Sequence, residues 1–228
     1  HYRTIRFDFR GYGKSSKQSE TFQFTHLDDL LTLMDSLHID KAHVVGLSMG
    51  AFVAGDMVAM NPERMLSCVM ASGGIRSVPG PSEPMDDKEK AKRDKEIAEL
   101  IAKGVDTYKH EWLEVLISDG GSRREEIRDP LWEMIKDWDA WQPLHKEVRM
   151  FWAKEAWKLL EEKRPIVFTL MLKGDAKGEG KPYHPRELEY LPNGTAILMP
   201  DCGHMMNMEQ PELFNHTVLN FLKERKLK

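Results

Sequence analysis

Ala42-His43-Val44-Val45-Gly46-Leu47-Ser48-Met49-Gly50-Ala51-Phe52-Val53 decides the fold. Ala42 to Leu47 is a short apolar run, the pattern of a strand buried in a parallel sheet. Met49 to Met60 reads as a helix, ended by Asn61-Pro62, because the residue before a proline avoids the α region. The change from strand to helix falls on Gly46-Leu47-Ser48-Met49-Gly50, a G-x-S-x-G. So sharp a turn holds the serine in a strained backbone conformation. It is expected to leave room only for small residues two before and two after it. The hydroxyl of Ser48 then stands at the carboxyl edge of the sheet. The amide of Met49 lies at a helix N-terminus, where free N–H groups and the helix dipole favour developing negative charge. Ser48 is the candidate nucleophile and Met49 the candidate oxyanion donor.

Outward from this turn, strand and helix signals alternate. Toward the N-terminus, Tyr2 to Asp8 alternates and is rich in strand formers, and Arg10 to Ser16 is a glycine-punctuated loop. Thr25 is placed to cap a helix, with Leu27, Leu30, Leu31, Met34 and Leu37 on one apolar face. Toward the C-terminus, Leu66 to Ala71 is the next buried strand, closed by Ser72-Gly73-Gly74. The strand pattern then stops. Asp86 to Glu99 is a mixed-charge helix face, and all 6 tryptophans fall between Trp112 and Trp157. Strands resume at Ile166 to Leu172 and Thr195 to Met199, and a final amphipathic helix spans Pro211 to Lys223. The alternation predicts an α/β protein with a mainly parallel sheet flanked by helices. Residues 1–74 and 163–228 form its core, and 75–162 a helical insertion.

Composition bounds the function. The 228 residues carry 33 Lys+Arg against 37 Asp+Glu, a net charge of −4, with 41% hydrophobic residues. That is a globular composition, and its acidity argues against nucleic acid as a partner. No apolar run approaches the ~20 residues of a membrane helix. Two cysteines, Cys68 and Cys202, make no disulfide framework, which points to a reducing, cytoplasmic compartment. Scattered His, Asp and Glu show no metal-ligand spacing, and Gly11-Tyr12-Gly13 is too short for a dinucleotide fingerprint. No cofactor is called for, and the expected partner is a small-molecule substrate.

A serine nucleophile needs a base. Of 9 histidines, His204 follows a predicted strand in the turn Asp201-Cys202-Gly203-His204, which brings it to the same sheet edge as Ser48. His26, His38, His43, His110, His145, His184 and His216 fit surface or packing roles better. Cys202 reads as a small buried residue, since Ser48 occupies the better turn. The tryptophans fit either the insertion's own core or an apolar substrate pocket. Trp112, Trp138 and Trp141, with Leu47, are the candidate substrate contacts.

Together these motifs resemble the α/β-hydrolase fold superfamily, in its esterase-like form with a helical cap. Asp8-Phe9-Arg10-Gly11-Tyr12-Gly13-Lys14-Ser15 resembles the family's D-x-R-G-x-G-x-S loop, and Gly46 to Gly50 its nucleophile turn. Gly203-His204, followed by Glu209-Gln210-Pro211-Glu212, resembles its histidine loop and last helix. The resemblance implies a Ser-acid-His triad, with residues 75–162 as the cap. It also implies an acid loop after the strand at Ile166 to Leu172. The family's usual aspartate slot, three residues past a glycine, holds Lys177 here. Asp175, nearest the strand end, is the favoured acid, and Glu179 the alternative. The family's first three strands have no counterpart in the sequence, so a gap in the sheet and a fragment of a longer protein are expected. A hydrolase of small apolar esters is the leading reading. A carbon–carbon bond hydrolase or perhydrolase using the same triad, or a ligand-binding protein on this fold, are the alternatives.

Overall fold

The computed structural model describes residues 2–17, 24–75, 86–145, 153–176 and 185–224. Helix α1 (His26–Ser36) opens on Thr25, whose hydroxyl accepts the Asp28 amide. Strand β1 (Ala42–Leu47) leads directly into α2 (Met49–Met60), and a 3-10 turn at Pro62–Arg64 leads into β2 (Met65–Ala71). Five helices follow before the next strand of the described residues: α3 (Asp87–Lys103), α4 (Val105–Ile117), α5 (Arg128–Ile135), α6 (Trp141–Leu144) and α7 (Ala153–Lys163). The chain returns through β3 (Thr169–Asp175), α8 (Pro185–Tyr190), β4 (Gly194–Pro200), α9 (Met206–Glu209) and α10 (Pro211–Lys223).

The strands form one parallel sheet in the order β1-β2-β3-β4. Successive side chains of a strand point to opposite faces, so β2 and β3 divide their residues between two cores. Cys68, Met70 and Met171 pack with Ala51, Ala54, Met57 and Val58 of α2. Val69, Ala71, Leu170 and Leu172 pack with Val218, Phe221 and Leu222 of α10. Each Val, Leu, Phe or Met among them, taken fully out of water, contributes about 1.5–3 kcal/mol. Ala156 and Leu160 of α7 join the α2 side, so this helix of the insertion shares the sheet's core. α4 and α5 make a separate cluster of Leu113, Ile117, Ile127, Leu131 and Ile135.

Three strand expectations differ from the structure. Tyr2 to Asp8 is not a strand, and most of it is exposed, because among the described residues no strand lies beside it to complete its backbone hydrogen bonds. β1 is an outer strand rather than a buried one, and Val45 is 47% exposed. β3 starts at Thr169, not Ile166, because its ladders begin at Cys68↔Thr169 and Thr169↔Gly194. Before that point the Ile166 carbonyl is met by the Asn193 side chain at 2.7 Å.

Candidate active site

Parallel strands bring all their carboxyl ends to one edge, and the candidate residues lie there. Ser48 stands between β1 and α2 with φ 51° and ψ −112°, a left-handed-side conformation unusual for a non-glycine residue. Its amide donates to the Ala71 carbonyl at 2.8 Å, and its own carbonyl accepts from Ala51 and Phe52 as the helix begins. The turn is so tight that a Cβ on Gly46 would collide with the Gly50 carbonyl. Gly50 differs from expectation: among the described residues nothing lies within 4 Å of where its Cβ would be. Among the described residues of this turn, then, only the first glycine is sterically required. Met49 is the first residue of α2, where an N–H has no acceptor within the helix.

Ser48 and His204 follow the two outer strands. At about 4.8 Å per strand, the ends of β1 and β4 are about 14 Å apart. The turn after β4 therefore has to lean across the sheet edge to approach the serine. Ser72 records that lean: it follows β2, has φ 49°, and its hydroxyl donates to the His204 carbonyl at 2.8 Å. The next residue, Gly73, is packed so closely on the Ser48 carbonyl that a Cβ there would sit 2.7 Å from it. Ser48, Ser72–Gly73 and His204 thus make one continuous patch. Among the described residues no hydrogen bond joins the His204 ring to Ser48 or to Asp175.

Asp175 is the last residue of β3, opposite Pro200 of β4. The adjacent Ala176 amide donates to the Cys202 carbonyl at 3.0 Å, which ties the end of β3 to the turn that carries His204. Glu179 and Lys177 lie outside the described residues. Cys202 is fully buried, and burial together with the Glu209 charge pushes its thiol up to about 12. Such a thiol stays protonated and is no nucleophile.

The other candidates are distributed unevenly. Leu47 ends β1 and packs against the α10-side core. Trp138 and Trp141 lie at α6: Trp138 stacks on Tyr12 at 6.3 Å and donates its indole N–H to Gln142 at 2.8 Å. Trp141 is buried and stacks on His145. Gln142 in turn packs directly over Gly11 of the D-x-R-G-x-G-x-S loop, so these tryptophans sit where the insertion meets the core. Trp112, on α4, is 42% exposed and does not join them. Among the described residues no group of three His, Cys, Asp or Glu is placed to hold a metal ion. No described helix is long and apolar enough to cross a membrane.

Residues to which sequence reading gave no role also gather here. Ser72 gave no signal, because an ordinary serine after a strand says nothing about what its hydroxyl meets. Asp119, on the loop after α4, accepts the His204 backbone amide at 3.2 Å. Glu209 is fully buried and accepts from the Gly203 amide at 2.9 Å. In the sequence it stands out only as part of Glu209-Gln210-Pro211-Glu212, the stretch that resembles the family's histidine loop and last helix, and nothing there says what its carboxylate meets.

The profile of the alpha/beta hydrolase family matches residues 1–217, and the chain belongs to that family. It is 28% identical over 226 residues to a Mycobacterium tuberculosis protein named for a non-heme bromoperoxidase, covering 96% of this chain and 82% of that one. It is also 28% identical over 240 residues to a 2-hydroxy-6-oxononadienedioate/2-hydroxy-6-oxononatrienedioate hydrolase of Burkholderia vietnamiensis, covering 97% and 77%. Among solved structures it is similar in fold to a thermophilic esterase from Thermogutta terrifontis. There the TM-score is 0.70 at 22% identity, covering 96% of this chain and 79% of that one.

Proposed function

We propose that the protein is a serine hydrolase that cleaves a small, mostly apolar ester or related acyl compound. The observation that carries this is the backbone of Ser48: a positive φ on a non-glycine residue, at a strand-to-helix turn, ahead of an open helix N-terminus. In this reading His204 takes the proton of Ser48 as its oxygen bonds to the substrate carbonyl carbon. The Met49 amide donates to the resulting oxyanion, together with a second donor. His204 passes the proton to the leaving alcohol as the ester bond breaks, and water then hydrolyses the acyl-serine by the same route. Asp175 sets the tautomer of the imidazole and stabilises its positive charge. Trp138 and Trp141 line the side of the pocket that receives an apolar acyl group. A second reading, carbon–carbon bond hydrolysis by the same triad, is favoured by the similarity to the Burkholderia vietnamiensis hydrolase.

The test pairs a fluorophosphonate probe with p-nitrophenyl acetate and butyrate. Wild type should label at Ser48 and turn over the esters, and Ser48→Ala should do neither. Asp175→Asn should cost ester turnover far more than Glu179→Gln. Labelling without ester turnover, with cleavage of a 2-hydroxy-6-oxodienoate, selects the second reading. No labelling of the folded protein overturns both and leaves a ligand-binding protein.

A further inference from the structure

The loop after α4 and the turn that carries His204 are joined at several points. Glu209, the last residue of α9, is fully buried. One of its oxygens accepts the Gly203 amide at 2.9 Å, one residue before His204. The other accepts the Gly121 amide at 2.5 Å, in the insertion. Asp119, from the same loop, accepts the His204 amide at 3.2 Å. Asp201 accepts the Ser122 amide at 2.7 Å and also its hydroxyl. The backbones meet without side chains between them. A Cβ on Gly121 would strike the Asp201 carbonyl, and a Cβ on Gly203 the Asp119 carbonyl. Apolar contact completes the joint, because Met205 and Met208 pack against the α4–α5 cluster.

We infer that Glu209 is a positioning residue: it fastens the histidine turn to the seated insertion, so that the place of His204 depends on the place of the 119–122 loop. A carboxylate suits this work, having two oxygens that both accept and no donor. Its bonds to backbone N–H groups are charge-assisted, and removing either partner leaves a buried group unsatisfied. Gln in its place keeps one acceptor and turns an NH₂ toward the other amide, so one of the two bonds is lost and the halves of the joint separate. The catalytic part of this inference rests on the triad proposed above. The joint itself does not.

Two measurements on the whole protein separate these parts. In hydrogen exchange, wild type should protect the Gly121 and Gly203 amides. Glu209→Gln should expose at least one of them tenfold or more while β2 and β3 stay protected. In p-nitrophenyl butyrate kinetics, kcat should fall tenfold or more with KM changed less than twofold. Asp119→Ala, at an exposed residue, should lower kcat about threefold and serves if Glu209→Gln does not fold. Unchanged exchange at both glycines in a folded Glu209→Gln overturns the joint. Increased exchange with kcat within twofold of wild type overturns the positioning role. For Asp119→Ala, kcat within 1.5-fold of wild type does the same. If wild type has no esterase activity, the proposed function fails, and the exchange result still decides the joint.

Discussion

His26 gives the sharpest prediction about pH. It is fully buried at the start of α1, with the Phe9 ring 4.5 Å away and the Phe24 ring 5.4 Å away. Burial lowers its pKa from 6.5 to about 4, only partly opposed by the nearby Asp29 charge. The folded protein therefore holds this proton less tightly than the unfolded chain does. From pH 6.5 down to 4 the unfolded state takes up more protons, so stability falls as pH falls through that window. With those two values, the loss between pH 7.5 and 4.5 is about 2.5 kcal/mol. His26→Asn removes the titration, and whatever packing it costs is the same at every pH. Urea unfolding followed by tryptophan fluorescence at pH 4.5, 5.5, 6.5 and 7.5 measures this. The gap between the two proteins should shift by about 2.5 kcal/mol in favour of the variant on going from pH 7.5 to 4.5. Parallel stability curves would refute the reasoning, and would mean that the ring keeps an ordinary affinity for its proton in the fold.

Two other substitutions follow from the same structure. Glu187, on α8 beside Gly74, is held by burial up to about 7, so its folded state binds the proton more tightly than the unfolded chain. Stability is then lost as pH rises from 4.5 to 7. That difference in proton affinity corresponds to about 3.4 kcal/mol, and partial solvent exposure reduces this to about 1–2 kcal/mol. Glu187→Gln should be more stable than wild type at pH 8 by that amount relative to pH 4.5, and an equal difference at both would contradict it. At the turn that carries Ser48, Gly46→Ala should cost about 3 kcal/mol or more through its backbone collision, or prevent folding. Gly50→Ala, in open space within α2, should gain about 0.5–1 kcal/mol from helix propensity, and thermal unfolding of the pair tests both claims.

Helix limits and the tight strand-to-helix turn at Ser48 were legible because their signals are local. Thr25 as a cap, Asn61-Pro62 as a stop and Pro211 as the start of α10 act within one turn of the chain, and the elements observed follow them. The parallel sheet was legible from alternation, since two parallel strands need a crossover between them. Strand limits were less so. Ile166-Val167-Phe168 has strand composition, yet pairing begins at Thr169, because a ladder starts where a neighbour is in register.

What the amino-acid sequence by itself determined is the family, the alternation of parallel strands with helices from Ala42 onward, and the residue types able to do chemistry at the strand ends. Those properties depend on neighbours a few positions apart. Tertiary structure decided which distant groups meet. It set Ser72 against His204, 132 residues on, and Glu209 against Gly121, 88 residues back. It left the β1 edge partly exposed and made Gly46 indispensable while leaving Gly50 free. No local rule reaches these, because a hydrogen bond between segments so far apart in the chain exists only after the sheet and the insertion have packed.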